Sequence, residues 1–139
     1  MTAADDRVLL PAQPSRTQRI RMRLLIAASA VSLVVAAIAG AGGVPIIAHP
    51  AGRAGLLPAP LVQRMLAAGL AGFELGHREN VEPALTTLRE LVAREGLIVT
   101  GSSDYHGLGK PNLPGEHTTG DDMVARIIDR ATGSAPVFP

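Results

Sequence analysis

Asp104 and His106 stand two positions apart in the run Thr100-Gly101-Ser102-Ser103-Asp104-Tyr105-His106-Gly107. In an extended segment residues i and i+2 face the same side. One carboxylate and one imidazole can then be aimed at a single point, a pair that suits a borderline or hard divalent cation. A loop aspartate capping a turn beside a surface histidine has the same spacing, so the pair alone does not decide between the two. Its position adds to it. The preceding Leu97-Ile98-Val99 is a short β-branched run that reads as a buried strand, so the polar cluster falls where that strand ends.

Other candidates are few. The chain has four histidines, His49, His77, His106 and His117, and no cysteine. Disulfides, thiolate zinc sites and cysteine nucleophiles are thereby excluded, and any metal is left to His, Asp and Glu. With 139 residues and 47% hydrophobic content the chain is sized for one modest folded domain. Its net charge is only +1, with basic residues crowded near the N-terminus, which excludes a polyanion-binding face spread over the chain.

The elements that would position these residues follow in order. Residues 1–23 carry Asp5, Asp6, Pro11 and Pro14, then Arg16, Arg19, Arg21 and Arg23, without a sustained apolar period; they read as a flexible basic arm. Residues 24–43 contain no charge and are expected to be helical. Three readings fit that segment: a membrane span flanked by arginines, a signal peptide ending in Ala39-Gly40-Ala41, or a soluble helix stopped by Gly42-Gly43. Residues 44–132 are expected to form the folded domain, and residues 133–139 read as a tail.

Within 44–132 the pattern alternates. Strands are expected at residues 44–48, 71–75 and 97–100, as parallel neighbours in one sheet. Between the first two, Pro60 opens a helix with Leu61, Val62, Met65 and Leu66 on one stripe and Gly69 as its stop. Between the second and third, Asn80 and Pro83 lead into a helix that buries Leu85, Leu88, Leu91 and Val92. There Glu90 and Arg94 form an i,i+4 pair and Gly96 is the stop. A last helix spans roughly Asp121 to Arg130, acidic in its first turn and basic in its last. Strand and helix in alternation imply an α/β fold with crossover helices, in which active residues collect at the carboxyl ends of the strands. His49 ends the first strand, Glu74 and His77 the second, Asp104 and His106 the third. Three strands delivering metal-capable residues at one end favour a shared site.

Gly42-Gly43-Val44-Pro45-Ile46-Ile47-Ala48-His49-Pro50, Gly72-Phe73-Glu74-Leu75-Gly76-His77 and Gly101-Ser102-Ser103-Asp104-Tyr105-His106-Gly107 together resemble the PHP (polymerase and histidinol phosphatase) metal-dependent phosphoesterases. The similarity covers about residues 31–120 and is closest to the branch acting on nucleotides and short RNA. It implies that residues 44–132 are a partial PHP domain, the C-terminal part of a distorted (β/α)7 barrel preceded by the apolar helix. It also implies two or three divalent ions (Mn, Fe, Zn or Mg) with His49, Asp104 and His106 as ligands. Their donor atoms should then lie within roughly 3 to 5 Å of one another, given metal–ligand bonds of about 2.0 to 2.2 Å. By the same resemblance Glu74 and His77 are catalytic residues lining the pocket, and Arg53 is a clamp for a substrate phosphate. The expected ligand is a phosphorylated small molecule such as a nucleotide, or short RNA. Lys110 and His117 lie near the site in sequence only and are assigned no role.

The chain departs from the family in lacking the opening His-x-His pair and the Ser-Asp-Gly loop, and residues 1–30 contain no histidine or glutamate. The expectation is a truncated phosphoesterase, inactive alone, completed by a complementary chain that supplies the N-terminal half. The alternative is a non-catalytic remnant that binds a membrane or a partner through residues 24–43. A cytoplasmic location goes with the first, membrane association with the second.

Overall fold

The computed structural model of the chain describes residues 13–52, 55–135 and 137. Arg53, the expected phosphate clamp, lies outside the described residues, as do the first twelve of the basic arm.

The first element is α1, Arg16–Gly40. It begins well before residue 24 because Ser15 and Gln18 form a capping box. The Ser15 Oγ accepts the Gln18 N–H at 3.2 Å, and the Ser15 N–H donates to the Gln18 side chain at 2.7 Å. Two otherwise orphaned donors of the first turn are satisfied in this way. Residues 16–23 are therefore helical, not an irregular arm. Within the apolar stretch the Ser29 and Ser32 hydroxyls donate back to the carbonyls of Leu25 and Ala28 at 2.9 and 3.0 Å, so their polarity is met inside the helix. Gly42, at φ +81°, ends it as expected. By length and composition α1 could cross a membrane. Val35 is buried while Ile26, Leu33 and Val34 are exposed.

The strands β1 (Ile46–Ile47), β2 (Gly72–Gly76) and β3 (Ile98–Gly101) pair in parallel, in the order β1-β2-β3. This is the arrangement expected from the alternating pattern. Among the described residues it is an open sheet of three strands, with β1 and β3 at the edges. β1 is shorter than the expected 44–48. Pro45 has no N–H to give to a ladder, and at the other end the chain turns at His49, whose φ is +31°. The register sets Phe73 against Ile47 on one side and Val99 on the other, and Glu74 against Thr100. It then slips, so that Gly76 pairs with Gly101 and Leu75 is an extra residue. A bulge of this kind bends a strand and re-aims its side chains, here at the end that carries Glu74.

The crossovers are α2, Ala59–Ala67, and α3, Ala84–Glu95; α4, Asp121–Arg130, follows β3. Pro60 lies in the first turn of α2, whose buried face presents Val62 and Met65. Gly96 closes α3 in the left-handed conformation at φ +61°, as its position after the last apolar residue implies. The expected Glu90–Arg94 pair is not formed; Arg94 Nε instead meets Glu95 Oε1 at 3.0 Å. Asn80 is not at the entry of α3 either, which starts after Pro83. Val35, Val62, Met65, Leu70, Phe73, Leu88 and Leu97 form the core, between the helices and the sheet.

Candidate functional site

The carboxyl ends of β1 and β2 are tied together by Asn80, a residue expected at the entry of α3. Asn80 Nδ2 donates to the carbonyls of Glu74 and Leu75 at 2.8 and 3.0 Å, and its Oδ1 accepts the Ala51 N–H at 2.9 Å. One amide thus joins the loop after β1 to the end of β2, using its donors and its acceptor. The end of β3 is held separately. Ser102 N–H donates to the Gly76 carbonyl at 2.9 Å, and the Thr119 hydroxyl meets the amide of Gly101 at 3.1 Å. No side chain fits at Gly101, since a Cβ there would lie 2.4 Å from the Thr118 carbonyl oxygen.

On this frame the functional side chains fall into two groups. His49 and His77 form the first, with ring centroids 5.0 Å apart and planes tilted by 38°. His77 is 4% exposed. Its Nδ1 accepts the Glu79 N–H at 3.2 Å, so the neutral ring carries its proton on Nε2. That Nε2 is buried without a partner, and so is Glu74 Oε1. An unpartnered donor and an unpartnered acceptor at one strand end are costly to folding unless a ligand meets them. Burial pushes the Glu74 carboxyl above its ordinary range, and Asp104 adds to this; His77, His49 and the His49 amide pull the other way without cancelling it.

Asp104, His106 and Lys110 form the second group. Asp104 adopts φ +50°, a left-handed conformation that short polar side chains tolerate best. His106 Nδ1 lies 2.6 Å from the Asp104 carbonyl oxygen. A carbonyl can only accept, so Nδ1 carries the proton and Nε2 keeps its lone pair, the tautomer usual for a histidine that ligates a metal. The Asp104 carboxylate meets His106 Nδ1 at 3.4 Å and Lys110 Nζ at 2.6 Å. The hydrogen bond from Lys110 holds the Asp104 carboxyl below its ordinary range, with His106 assisting. Beneath them Asn112, 5% exposed, donates to the Ser103 carbonyl at 2.6 Å and pins the loop.

The expected convergence of His49, Asp104 and His106 is not realised: among the described residues no three His, Asp or Glu side chains gather closely enough to hold an ion. The topology gives a reason. β1 and β3 flank β2 and do not touch, so their ends are separated by two strand spacings of about 4.8 Å each. His49 turns to His77, while Asp104 is taken by Lys110. The donor chemistry of Asp104 and His106 fits a divalent ion, but a complete ligand set is not assembled by these residues. Lys110, assigned no role from sequence, is in direct contact with the site. His117 is near it too, 3.7 Å from where a Cβ on Gly76 would lie. No spacing rule pointed to either, because both come from the long loop after β3.

The chain matches no family model and no curated protein. It is similar to a crystal structure from Bifidobacterium adolescentis described as a "putative metal-dependent phosphoesterase", with 35% sequence identity and a TM-score of 0.69. The match takes in 94% of this chain but 42% of that one, so the chain spans less than half of the neighbour's length. In sequence and in fold the chain thus resembles the metal-dependent phosphoesterases, and the likeness to the PHP family read from residues 42–50, 72–77 and 101–107 stands.

Proposed function

We propose that the chain carries part of the site of a metal-dependent phosphoesterase acting on a nucleotide or short RNA. The observation that supports this most is the unpartnered pair, Glu74 Oε1 and His77 Nε2, at the carboxyl end of a parallel sheet that also presents Asp104 and His106. Asp104 and His106 would supply two ligands to a divalent ion (Mn, Fe, Zn or Mg), with further ligands supplied from outside the described residues, by more of the same polypeptide or by a complementary chain; His49, turned to His77, would line the pocket. Such an ion, when bound, activates water and balances charge on the phosphoryl oxygens. His77, with its proton on Nε2, donates to an oxygen of the phosphate or of the leaving group. Glu74, whose carboxyl is pushed up by burial, accepts from a substrate hydroxyl or passes a proton to the departing oxygen. Arg53, four positions after His49 in a glycine-rich run of sequence, would clamp a second phosphate oxygen.

The chain alone is expected to hydrolyse phosphate esters at or near the background rate, because an incomplete ligand set forfeits most of the electrostatic stabilisation of the transferring group. Assays of nucleotide monophosphates, nucleotide 3′,5′-bisphosphates and short RNA with added manganese, run beside His106→Ala, test this. Robust turnover that the substitution abolishes would show that this chain suffices alone.

A second reading is favoured by α1, which leaves Ile26, Leu33 and Val34 exposed on a helix long and apolar enough to span a bilayer. It makes the chain a membrane-associated or partner-binding protein instead of a cytoplasmic one. Extraction that depends on detergent would favour it.

A further inference from the structure

Residues 7–73 hold seven arginines and no Asp or Glu, and ten of the chain's twelve acidic residues follow residue 73. Charge is therefore segregated along the chain, although the net charge of the whole is only +1. Two of those arginines are brought to one groove. Arg21 of α1 and Arg64 of α2 both line a space of about 520 Å³ between the two helices, whose other walls include Leu25, Pro58, Pro60 and Leu61. Neither arginine forms an ion pair among the described residues. No side chain of the groove can accept a hydrogen bond or stack on a base. A nucleotide or sugar phosphate would leave its hydroxyls unmet there.

α1 is long and apolar enough to cross a bilayer, yet its C-terminal half is anchored. Val35 belongs to the core, and the Gly42 carbonyl just beyond the helix accepts the Thr132 N–H at 3.0 Å. A span takes about 20 apolar residues, and α1 supplies them only by leaving the domain. We infer that the groove between α1 and α2 seats an anionic phospholipid of a bilayer surface, with Arg21 and Arg64 on its phosphate and an acyl chain along Leu25, Pro58, Pro60 and Leu61. The inference rests on the membrane-associated reading and narrows it: α1 lies on the surface and does not cross it. A guanidinium meets phosphate through two parallel hydrogen bonds, and apolar walls suit an acyl chain, which asks for none. Arg16, Arg19 and Arg23, in the first turns of α1, add to the attraction of an anionic surface, and the exposed Ile26, Leu33 and Val34 give it apolar contact.

The test uses the full chain and vesicles of phosphatidylcholine, alone or mixed with phosphatidylglycerol, read by co-sedimentation. The parent should sediment with the mixed vesicles, less so as salt is raised, and should stay in solution with phosphatidylcholine alone. An arginine near an anionic surface contributes about fivefold in binding, so Arg21→Gln and Arg64→Gln should each weaken it by about that factor. Arg21→Lys and Arg64→Lys keep the charge without the fork and should recover only part of the loss, and Arg130→Gln at the end of α4 should bind like the parent. All three side chains are exposed, so circular dichroism should be unchanged. Full recovery by the lysines, or glutamine variants that bind like the parent, overturns the groove as the seat of the lipid and leaves membrane association standing. Retention on the vesicles through an alkaline carbonate wash does the same, since it marks a spanning helix. Displacement by inorganic phosphate beyond that by sodium chloride of equal ionic strength makes the occupant free phosphate, and a dimer that Leu25→Glu dissociates makes it a second copy of this chain; either overturns the inference. No binding to any vesicle overturns the inference and the membrane reading together.

Discussion

Replacing Phe73 with alanine is expected to cost about 3–5 kcal/mol of folding stability, the range for truncating a large aromatic side chain in a core that cannot collapse around the gap. Phe73 is fully buried and is the second residue of β2, the middle strand, opposite both Ile47 and Val99. It touches the part of the core where Val62 of α2 and Leu88 of α3 meet the sheet. Since a domain of this size has only about 5–15 kcal/mol in total, the substitution removes a large share of it. Urea unfolding followed by circular dichroism should show the midpoint fall sharply at unchanged slope. A loss below about 1 kcal/mol, the size typical of surface changes and mild mutants, would mean that the sheet and the two crossover helices do not pack around Phe73 as described.

The second large effect is expected one residue earlier. A Cβ placed on Gly72 would stand 2.0 Å from the Ile98 carbonyl oxygen, 2.7 Å from its carbonyl carbon and 3.0 Å from Ile46 Cδ1. The first two are backbone atoms of the neighbouring strand and cannot swing aside, so Gly72→Ala must push β2 away from β3. Overpacking of this kind costs about 3 kcal/mol or more where the backbone itself has to move. The damage reaches the site, because the register that begins at Gly72 opposite Ile98 also sets Glu74 opposite Thr100. Thermal unfolding and an ¹H–¹⁵N spectrum would read both consequences. The expected result is a much lower melting temperature, with amide shifts at Glu74, His77 and Ser102 as well as at the mutated strand. A melting temperature like the parent's would contradict the close approach of β2 and β3 at Gly72.

Much of this arrangement was legible in the residues. Ile46-Ile47, Phe73 and Ile98-Val99 are apolar runs bounded by glycine or proline, and their parallel pairing follows from the helices between them. Gly42 and Gly96 stop their helices through positive φ, which glycine adopts at no steric cost. What was not legible depended on contacts across the fold. The Ser15–Gln18 box could have been found from its spacing, but the apolar run starting at residue 24 drew the boundary instead. Asn80 reads as an ordinary turn residue, and only the proximity of Ala51 to the end of β2 makes it a strut. The fate of Asp104 and His106 followed the same rule. Their side chains meet at 3.4 Å through a left-handed turn at Asp104 and not along an extended segment, and the spacing carries no information about Lys110, which the 3-10 turn Gly107–Gly109 returns to the carboxylate six residues after Asp104. The distance from His49 to this pair depends on strand order, which a sequence pattern constrains only through the number of intervening strands.

A metal-dependent site at this end of the sheet requires that the carboxyl ends of β1, β2 and β3 form one cation-binding rim. Titration of the ¹⁵N-labelled chain with Mn²⁺ measures this directly, since the ion broadens amides near it even when it is held weakly. Broadening should begin at Ser103 to Gly107, then reach His49 and Glu74 to His77, while α4 is spared although it carries Asp121, Asp122 and Asp129. Broadening centred on those α4 carboxylates, or none at His49, His77 and Asp104 at any ion concentration the fold tolerates, would contradict it.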